Sequence, residues 1–459
     1  MPETKTVSPW QILESDCIEA MAAMEPCSID AIVCDPPYGL GFMGKAWDAL
    51  PPGLPWARQC LRVLKPGGHL VAFGGTRTIH RLACAIEDAG FEVRDTIAWQ
   101  YWSGFPKSLD VSKAIDRRGG ALPVFAEFRD AVKAAMRREG VARSDLAAAL
   151  GNFMLSHYLT AGSQPAIPNL RDYKIIRDRL DLGDVWDHLF LPAADRAVVG
   201  RHDGDMGGLG GQRLGDRGAD ITAPATDDAK RWQGWGTALK PSFEPAILAR
   251  KPLNGTVAAN VLRWGTGALN VDGCRYAYGD PAWPGPNDRA SALAKHESTR
   301  GLGAGLSGET FGTWGAVRVP GFSDLGRWPA NVYACPKASR SEREAGCRHL
   351  PARSGADAVE RVEGSAGMDN PRAGAGRTAA EVRNHHPTIK PAALMAWLCR
   401  LVTPPGGVIL DPFCGSGTTG LGALRGGFDF VGIEREAEYV RIARARIEGD
   451  SPLFNRRTG

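Results

Sequence analysis

The alternation of apolar and polar positions divides the 459-residue chain into two outer stretches that share one grammar and a middle that follows another. On the amino-terminal side, a polar turn and an amphipathic segment from Asp16 to Met24 lead into SIDAIVCD (28–35). That apolar run has the length of a buried strand and is cut off by two prolines. A helical stretch (55–68), the strand HLVAFGG (69–75), a helix from about Arg77 to Ala89 and the strand-like FEVRDTIAWQYW (91–102) follow. This punctuation predicts βα units and a parallel sheet. It returns on the other side, where PAALMAWLCRLVTPPGG (391–407) feeds VILDPFCGSGTTG (408–420), then a helix, GFDFVGIE (427–434) and a last helix. CLRVLKPGGHLVAF and LCRLVTPPGGVILDPF echo each other, each a helix stopped by proline and glycine that then releases a strand. The expectation is a doubly wound α/β fold whose mostly parallel sheet is built from both chain ends.

The middle reads differently. Residues 121–190 look helical, with Ser144 as an N-cap before DLAAALG and the glycine closing that short helix. Two readings stay open for this run: a helix-turn-helix insert, or a helical hairpin that packs on the sheet. Segments 199–236 and 284–320 are rich in glycine and poor in apolar runs, which predicts mobile surface loops.

Composition narrows the class. The 57 glycines and 32 prolines follow no period, which excludes collagen, and 43% hydrophobic residues exclude wholesale disorder. A net charge of +4 neither demands nor forbids a polyanionic partner. No apolar run has the length of a bilayer span, and MPETKTVSPW lacks the basic and apolar regions of a signal peptide, so a soluble, cytoplasmic protein is expected. The ten cysteines include no C-x2-C pair; reduced thiols and no metal site are expected.

Asp35-Pro36-Pro37-Tyr38 follows a buried strand and therefore places a carboxylate at the carboxyl edge of the sheet, where ligands bind. Prolines donate no backbone N–H, so this loop is an acceptor array. A carboxylate oxygen and a prolyl carbonyl can together accept both hydrogens of a planar exocyclic amine, and a tyrosine offers a face for stacking. Taken alone, the string reads equally as a capped strand end. DPFCGSGTTG (411–420) also follows a strand and opens a helix, but it is neither G-x-G-x-x-G nor a P-loop. Glu434 ends the next strand, where an acid can accept hydrogen bonds from ribose hydroxyls. A nucleoside-bearing cofactor without a phosphate chain suits both features.

Asp35-Pro36-Pro37-Tyr38, NHHPTIKP (384–391) and DPFCGSGTT, in that order, resemble the β class of S-adenosylmethionine-dependent DNA amino-methyltransferases. The likeness covers about residues 8–115, parts of 237–275 and 384–450. It implies a Rossmann-like methyltransferase fold with the catalytic half at 8–118, the helical insert at 121–190 and a glycine-rich loop at 191–236. A return to the sheet at 237–275, a target recognition region at 276–383 and the cofactor-binding half at 384–450 complete the arrangement. It implies further that Asp35, Pro36, Pro37 and Tyr38 handle a base flipped out of double-stranded DNA. Asp411, Phe413, Gly415, Ser416, Gly417 and Thr418 would line the cofactor pocket, with Glu434 on the ribose. His386, Thr388, Lys390 and Pro391 would close over the methionine end, and Asp16, with Cys17 beside it, would read the adenine edge. The family implies a homodimer, and an Asp in the first motif position points to adenine N6, since cytosine-N4 members more often carry Ser. Two alternatives stay open: a cytosine-N4 enzyme, and a DNA-binding regulator that retains the fold. Between 335 and 383 nine Lys or Arg stand against seven Asp or Glu, so that region presents a mixed surface with no strong basic patch.

Overall fold

The structure is a computed structural model that describes residues 8–40, 48–104, 108–118, 123–151, 154–160, 166–190, 198–201, 220–224, 227–277, 280–283, 326–353 and 381–450. It divides into two compact units, one drawn from residues 1–104, 242–352 and 383–459, the other from 105–241 and 353–382.

The strands in chain order are β1 (Trp10–Glu14), β2 (Ile29–Cys34), β3 (Leu64–Phe73), β4 (Glu92–Gln100), β5 (Val198–Arg201), β6 (Asp220–Thr222), β7 (Phe243–Arg250), β8 (Val332–Ala334), β9 (Val408–Asp411) and β10 (Asp429–Glu434). Eight of them form the sheet of the first unit, in the order β1-β10-β9-β2-β3-β7-β4-β8. All pairings are parallel except those of β7, which runs against β3 and β4. The chain leaves β2 towards β3 and leaves β9 towards β10, in opposite directions. The junction of β2 and β9, with Ala31 opposite Ile409 and Ile32 opposite Leu410, is therefore the switch point of the sheet.

Every residue of β2 is buried, as a central parallel strand requires. One of them is charged: Asp30 receives the Lys65 ammonium at 2.6 Å on Oδ1 and the Val408 backbone N–H at 2.8 Å on Oδ2, so it ties β2 to β3 and to the start of β9. Helices flank the sheet for the usual reason, an apolar stripe. In Leu54–Val63 the buried positions are Trp56, Ala57, Cys60 and Val63; in Ala392–Val402 they include Leu394, Met395, Leu398, Leu401 and Val402. Each such large side chain contributes about 1.5–3 kcal/mol by leaving water.

One element begins earlier than its pattern predicts. The helix read over 55–68 stops at Val63, and KPGG belongs to β3, because Leu64 already pairs with Ile29 and the register slips before Ala31 pairs with His69. Gly67 takes φ +78° there, and a Cβ on it would lie 2.4 Å from Asn260 Nδ2. Buried Asn260 bridges the carbonyls of Pro66 and Thr266 through that nitrogen.

The second unit has its own core of Phe128, Val132, Leu146, Leu150, Tyr158, Tyr173, Ile176 and Phe190, in which the Tyr173 and Phe190 rings stack with centroids 4.0 Å apart. Its helices include Pro123–Arg138, Arg143–Leu150, Leu155–Leu159 and Leu170–Arg179. Gly151 closes Arg143–Leu150 at φ +61°, as read from the sequence, but Ser144 is not its cap. The helix starts one residue before Ser144, with Ala142 in the N-cap position, and the Ser144 hydroxyl faces Asp145 instead. Of the glycine-rich segments, 284–320 lies outside the described residues, as does most of 199–236.

Candidate active site

The carboxyl edge of the sheet gathers the residues singled out above. Asp16 follows β1, Glu434 ends β10, the glycine bend follows β9 and Asp35–Tyr38 follow β2, so neighbouring strands deliver four loops in a row. Because β7 is reversed, it is the first residues of that strand that reach this edge, and they bring Glu244 opposite Trp99.

At the β2 loop, Asp35 Oδ2 lies 2.5 Å from the Lys390 ammonium, and the Tyr38 hydroxyl lies 2.9 Å from Asp35 Oδ1. The same hydroxyl is 3.0 Å from Glu244 Oε2 and 3.0 Å from Lys390 Nζ; Lys390 is 3.2 Å from Glu244. Phe73, Tyr38 and Trp99 rings surround the ammonium at 4.8, 5.3 and 5.8 Å. Burial, reinforced by the charge of Glu244, raises the Asp35 carboxyl above its usual range although Lys390 opposes this. Burial also acts to raise Glu244, but the Lys390 and Lys337 charges outweigh it and hold that carboxyl low. The loop is held from the other side by Asp48, a buried carboxylate that accepts the N–H groups of Tyr38, Gly39 and Leu40 at 2.6, 2.9 and 3.2 Å. The Thr78 hydroxyl donates to the Tyr38 carbonyl at 2.6 Å.

At the β9 loop, Gly415 and Gly417 take φ +51° and +78°, conformations that suit glycine. A Cβ on Gly415 would lie 2.7 Å from His386 Nε2, and one on Gly417 would press on Ala443. Glu434 accepts the Gly415 N–H on Oε2 at 2.8 Å and the Glu436 N–H on Oε1 at 2.9 Å. The Arg435 N–H also bears on this carboxylate, and of its four or so lone-pair sites at least one is left for a ligand hydroxyl. Asp411 accepts from the Phe413 N–H at 3.0 Å and the Thr419 hydroxyl at 2.5 Å, and burial pushes its carboxyl up to about 7. Phe413 packs against Trp56 with ring centroids 5.8 Å apart. The side chains of Ser416 and Thr418 both face buried Arg446, whose guanidinium donates to the Ser416 carbonyl, the Ser416 hydroxyl and the Thr418 hydroxyl at 2.6, 3.0 and 2.9 Å. What those two residues leave for a ligand is backbone.

Segment 384–391 touches both loops. His386 lies against Gly415, with its ring edge-on to Tyr439 at 4.5 Å, and burial lowers its imidazole to about 3, so it is neutral. Four residues on, Lys390 belongs to the Asp35 cluster. Thr388 between them is exposed, and Pro391 is buried as the N-cap of Ala392–Val402. Asp16 caps Cys17–Ala22 through the N–H groups of Ile18 and Glu19, and burial pushes the Cys17 thiol up to about 12. Pro36 is buried and Pro37 half-buried.

Glu244, Asp48 and Arg446 escaped the sequence reading. Glu244 stands before the apolar run PAILA, a position the rule of carboxyl strand ends does not search. Nothing in the local pattern marks the other two.

A family model described as DNA methylase matches residues 29–117 and 228–445. The chain belongs to the DNA methylase family. This DNA methylase is 50% identical over 66 residues to the Type II methyltransferase M2.DpnII of Streptococcus pneumoniae, a match covering 14% of the chain and 25% of that relative. It is 42% identical over 64 residues to the DNA adenine methyltransferase YhdJ of Escherichia coli K12, covering 14% and 22%. The matches thus span about a quarter of these relatives' length. Among solved structures, M1.HpyAVI in complex with SAM aligns at 15% identity and a TM-score of 0.36, covering 95% of this DNA methylase and 98% of that chain. The cytosine-N4-specific PvuII DNA methyltransferase aligns at 12% and 0.38, covering 96% and 86%. Among the described residues no cluster of His, Cys, Asp and Glu is arranged to hold a metal ion, and no helix is long and apolar enough to cross a membrane.

Proposed function

We propose that this DNA methylase transfers a methyl group from S-adenosylmethionine to the N6 amine of an adenine rotated out of duplex DNA at a specific sequence. The observation that supports this most is the adjacency of two loops at the switch point, an acceptor loop after β2 and a glycine bend after β9. The bend suits the cofactor: it opens Thr418–Arg425 at that helix's positive end, and Glu434 beside it offers a carboxylate to ribose hydroxyls. Asp16 would meet the adenine edge, Phe413 the ring system and His386 the methionine end. Bound there, S-adenosylmethionine supplies an electrophilic methyl group on a positively charged sulfur.

The chain's own task is placement. The adenine N6 lone pair is delocalised into the ring; accepting its hydrogens at Asp35 and at the Pro36 carbonyl draws the nitrogen towards tetrahedral geometry. Extrusion of the base costs a few kcal/mol, recovered by stacking and hydrogen bonds in the pocket, where the Tyr38 ring is the stacking face. Adenine is favoured by Asp at position 35 and by the similarity to an adenine methyltransferase. The division of labour we propose is catalysis from 8–118, cofactor binding from 384–450 with 237–275 completing the sheet, and DNA reading from 276–383 with the 121–190 insert. By resemblance to the family we infer a homodimer, and ten free cysteines are in keeping with a reducing cytoplasm.

Incubation with methyl-labelled cofactor and DNA of mixed sequence should place the label in N6-methyladenine. No transfer, or label in N4-methylcytosine, refutes the reading. Asp35→Ala should reduce transfer by about a hundred- to a thousandfold while calorimetry finds cofactor affinity unchanged.

A further inference from the structure

Glu244 lies on the reversed strand, outside every motif, yet the polar cluster around Asp35 converges on it. We propose that Glu244 is a positioning residue for methyl transfer, holding Lys390 in a shared position so that Asp35 keeps acceptor capacity for the amine of the target base. The inference rests on the transfer reaction proposed above and adds a residue to it.

The argument begins with Lys390. Its ammonium has three N–H groups and three oxygen partners: Asp35 Oδ2 at 2.5 Å, Tyr38 Oη at 3.0 Å and Glu244 Oε2 at 3.2 Å. The side chain is 7% exposed under three aromatic rings, so it has neither a spare proton nor water to turn to. Two carboxylates thus share one buried cation, and the cluster carries an excess negative charge.

Where that excess sits follows from the second cation. Lys337 reaches Glu244 Oε1 at 3.7 Å while resting over the Tyr101 ring at 4.2 Å. Glu244 therefore faces two ammonium groups and Asp35 faces one. Lys337 offsets Glu244, so Asp35, the carboxylate that has an amine to receive, is the less compensated of the two. The opposite displacements of the two carboxyls, Asp35 upward and Glu244 downward, agree with this division. The Tyr38 phenol is kept neutral by burial and by both carboxylates, so it has one proton to share between them. The Asp35 charge in turn helps to raise Asp411, at the end of β9, and the Cys34 thiol, at the end of β2.

Without the Glu244 charge, the whole of Lys390 falls on Asp35. That carboxylate then becomes a weaker acceptor and a stronger acid, because the like charge beside it has gone. A residue that only supported the fold would not couple a downward shift of the acid limb to a fall in kcat at unchanged KM.

Glu244→Gln keeps the shape and an acceptor for Lys390 while removing the charge. At saturating cofactor and DNA its kcat should fall about ten- to a hundredfold, with both KM values within about twofold of wild type. The acid limb of the kcat–pH profile should move down by about one unit or more. Glu244→Asp, which keeps the charge, should retain the wild-type limb. Lys390→Met, which places an apolar chain among the same rings and leaves two carboxylates to share a proton, should move the limb up. A Glu244→Gln enzyme with wild-type kcat, or with an unmoved or raised limb, overturns the proposal. If that variant does not fold, an unmoved or lowered limb in Lys390→Met overturns it equally. A wild-type protein that transfers no methyl group at all would instead refute the functional reading, and the two failures are distinct.

Discussion

Asp411 titrates where an enzyme works. Its carboxyl stands at about 7 in the fold against an ordinary 3.8, so the folded chain holds that proton more tightly than the unfolded chain does. Its contribution to stability is therefore greatest below about pH 4, declines as the pH rises and is lost above about 7. Urea midpoints at pH 5 and pH 8 should show wild type losing more stability over that interval than Asp411→Asn, which has no proton to lose. Equal losses in the two proteins would mean that Asp411 does not account for the slope. Single residues were legible in the sequence where a strand ended on them: Asp35, Asp411 and Glu434 all lie at such ends. Glu244 was illegible for the complementary reason, because a reversed strand delivers its beginning to the same edge. Arg446 acts on residues about thirty positions away, which no local window shows, and Asp48 acts on the nearby N–H groups of Tyr38, Gly39 and Leu40, a contact that no apolar pattern marks.

At the scale of elements, the glycine bend is the part whose shape the ligand would read. Gly415 combines a positive φ with the approach of His386. Gly415→Ala should therefore cost about 1–2 kcal/mol of stability and weaken cofactor binding at least about tenfold. Calorimetry with S-adenosylmethionine checks the second figure, and undiminished affinity would mean that the bend does not meet the ligand. Most elements were visible as periodicity, and Gly151 was correctly read as a helix stop. Two boundaries were not. Pairing of Leu64 with Ile29 takes the KPGG run into β3, although proline and glycine ordinarily end a helix and start a turn. Helix Arg143–Leu150 begins without a side-chain cap, so the serine that looked like one lies a step inside.

For the molecule as a whole, the sheet made from both chain ends was readable because each end carries a complete βα rhythm. The order of its strands was not, since pairing between residues hundreds of positions apart leaves no trace in a window of fifteen. Asp30 makes that union measurable. It binds the Lys65 ammonium and the first N–H of β9, and Asp30→Ala should lower stability by about 2–3 kcal/mol in urea unfolding. A loss confined to a few tenths would show that strand pairing and apolar packing join the two halves without help from Asp30.

The seam between β2 and β9 bears on how the chain comes to be assembled. A ribosome making this protein completes β2 more than 370 residues before the strand that will lie against it exists. During that interval a strand that is apolar except for Asp30 has an open flank, the kind of surface that invites chaperones or aggregation. The same seam suggests a practical opening: two polypeptides broken between the halves and produced together have a ready-made edge on which to recombine, so a split, inducible version of this DNA methylase could be built there.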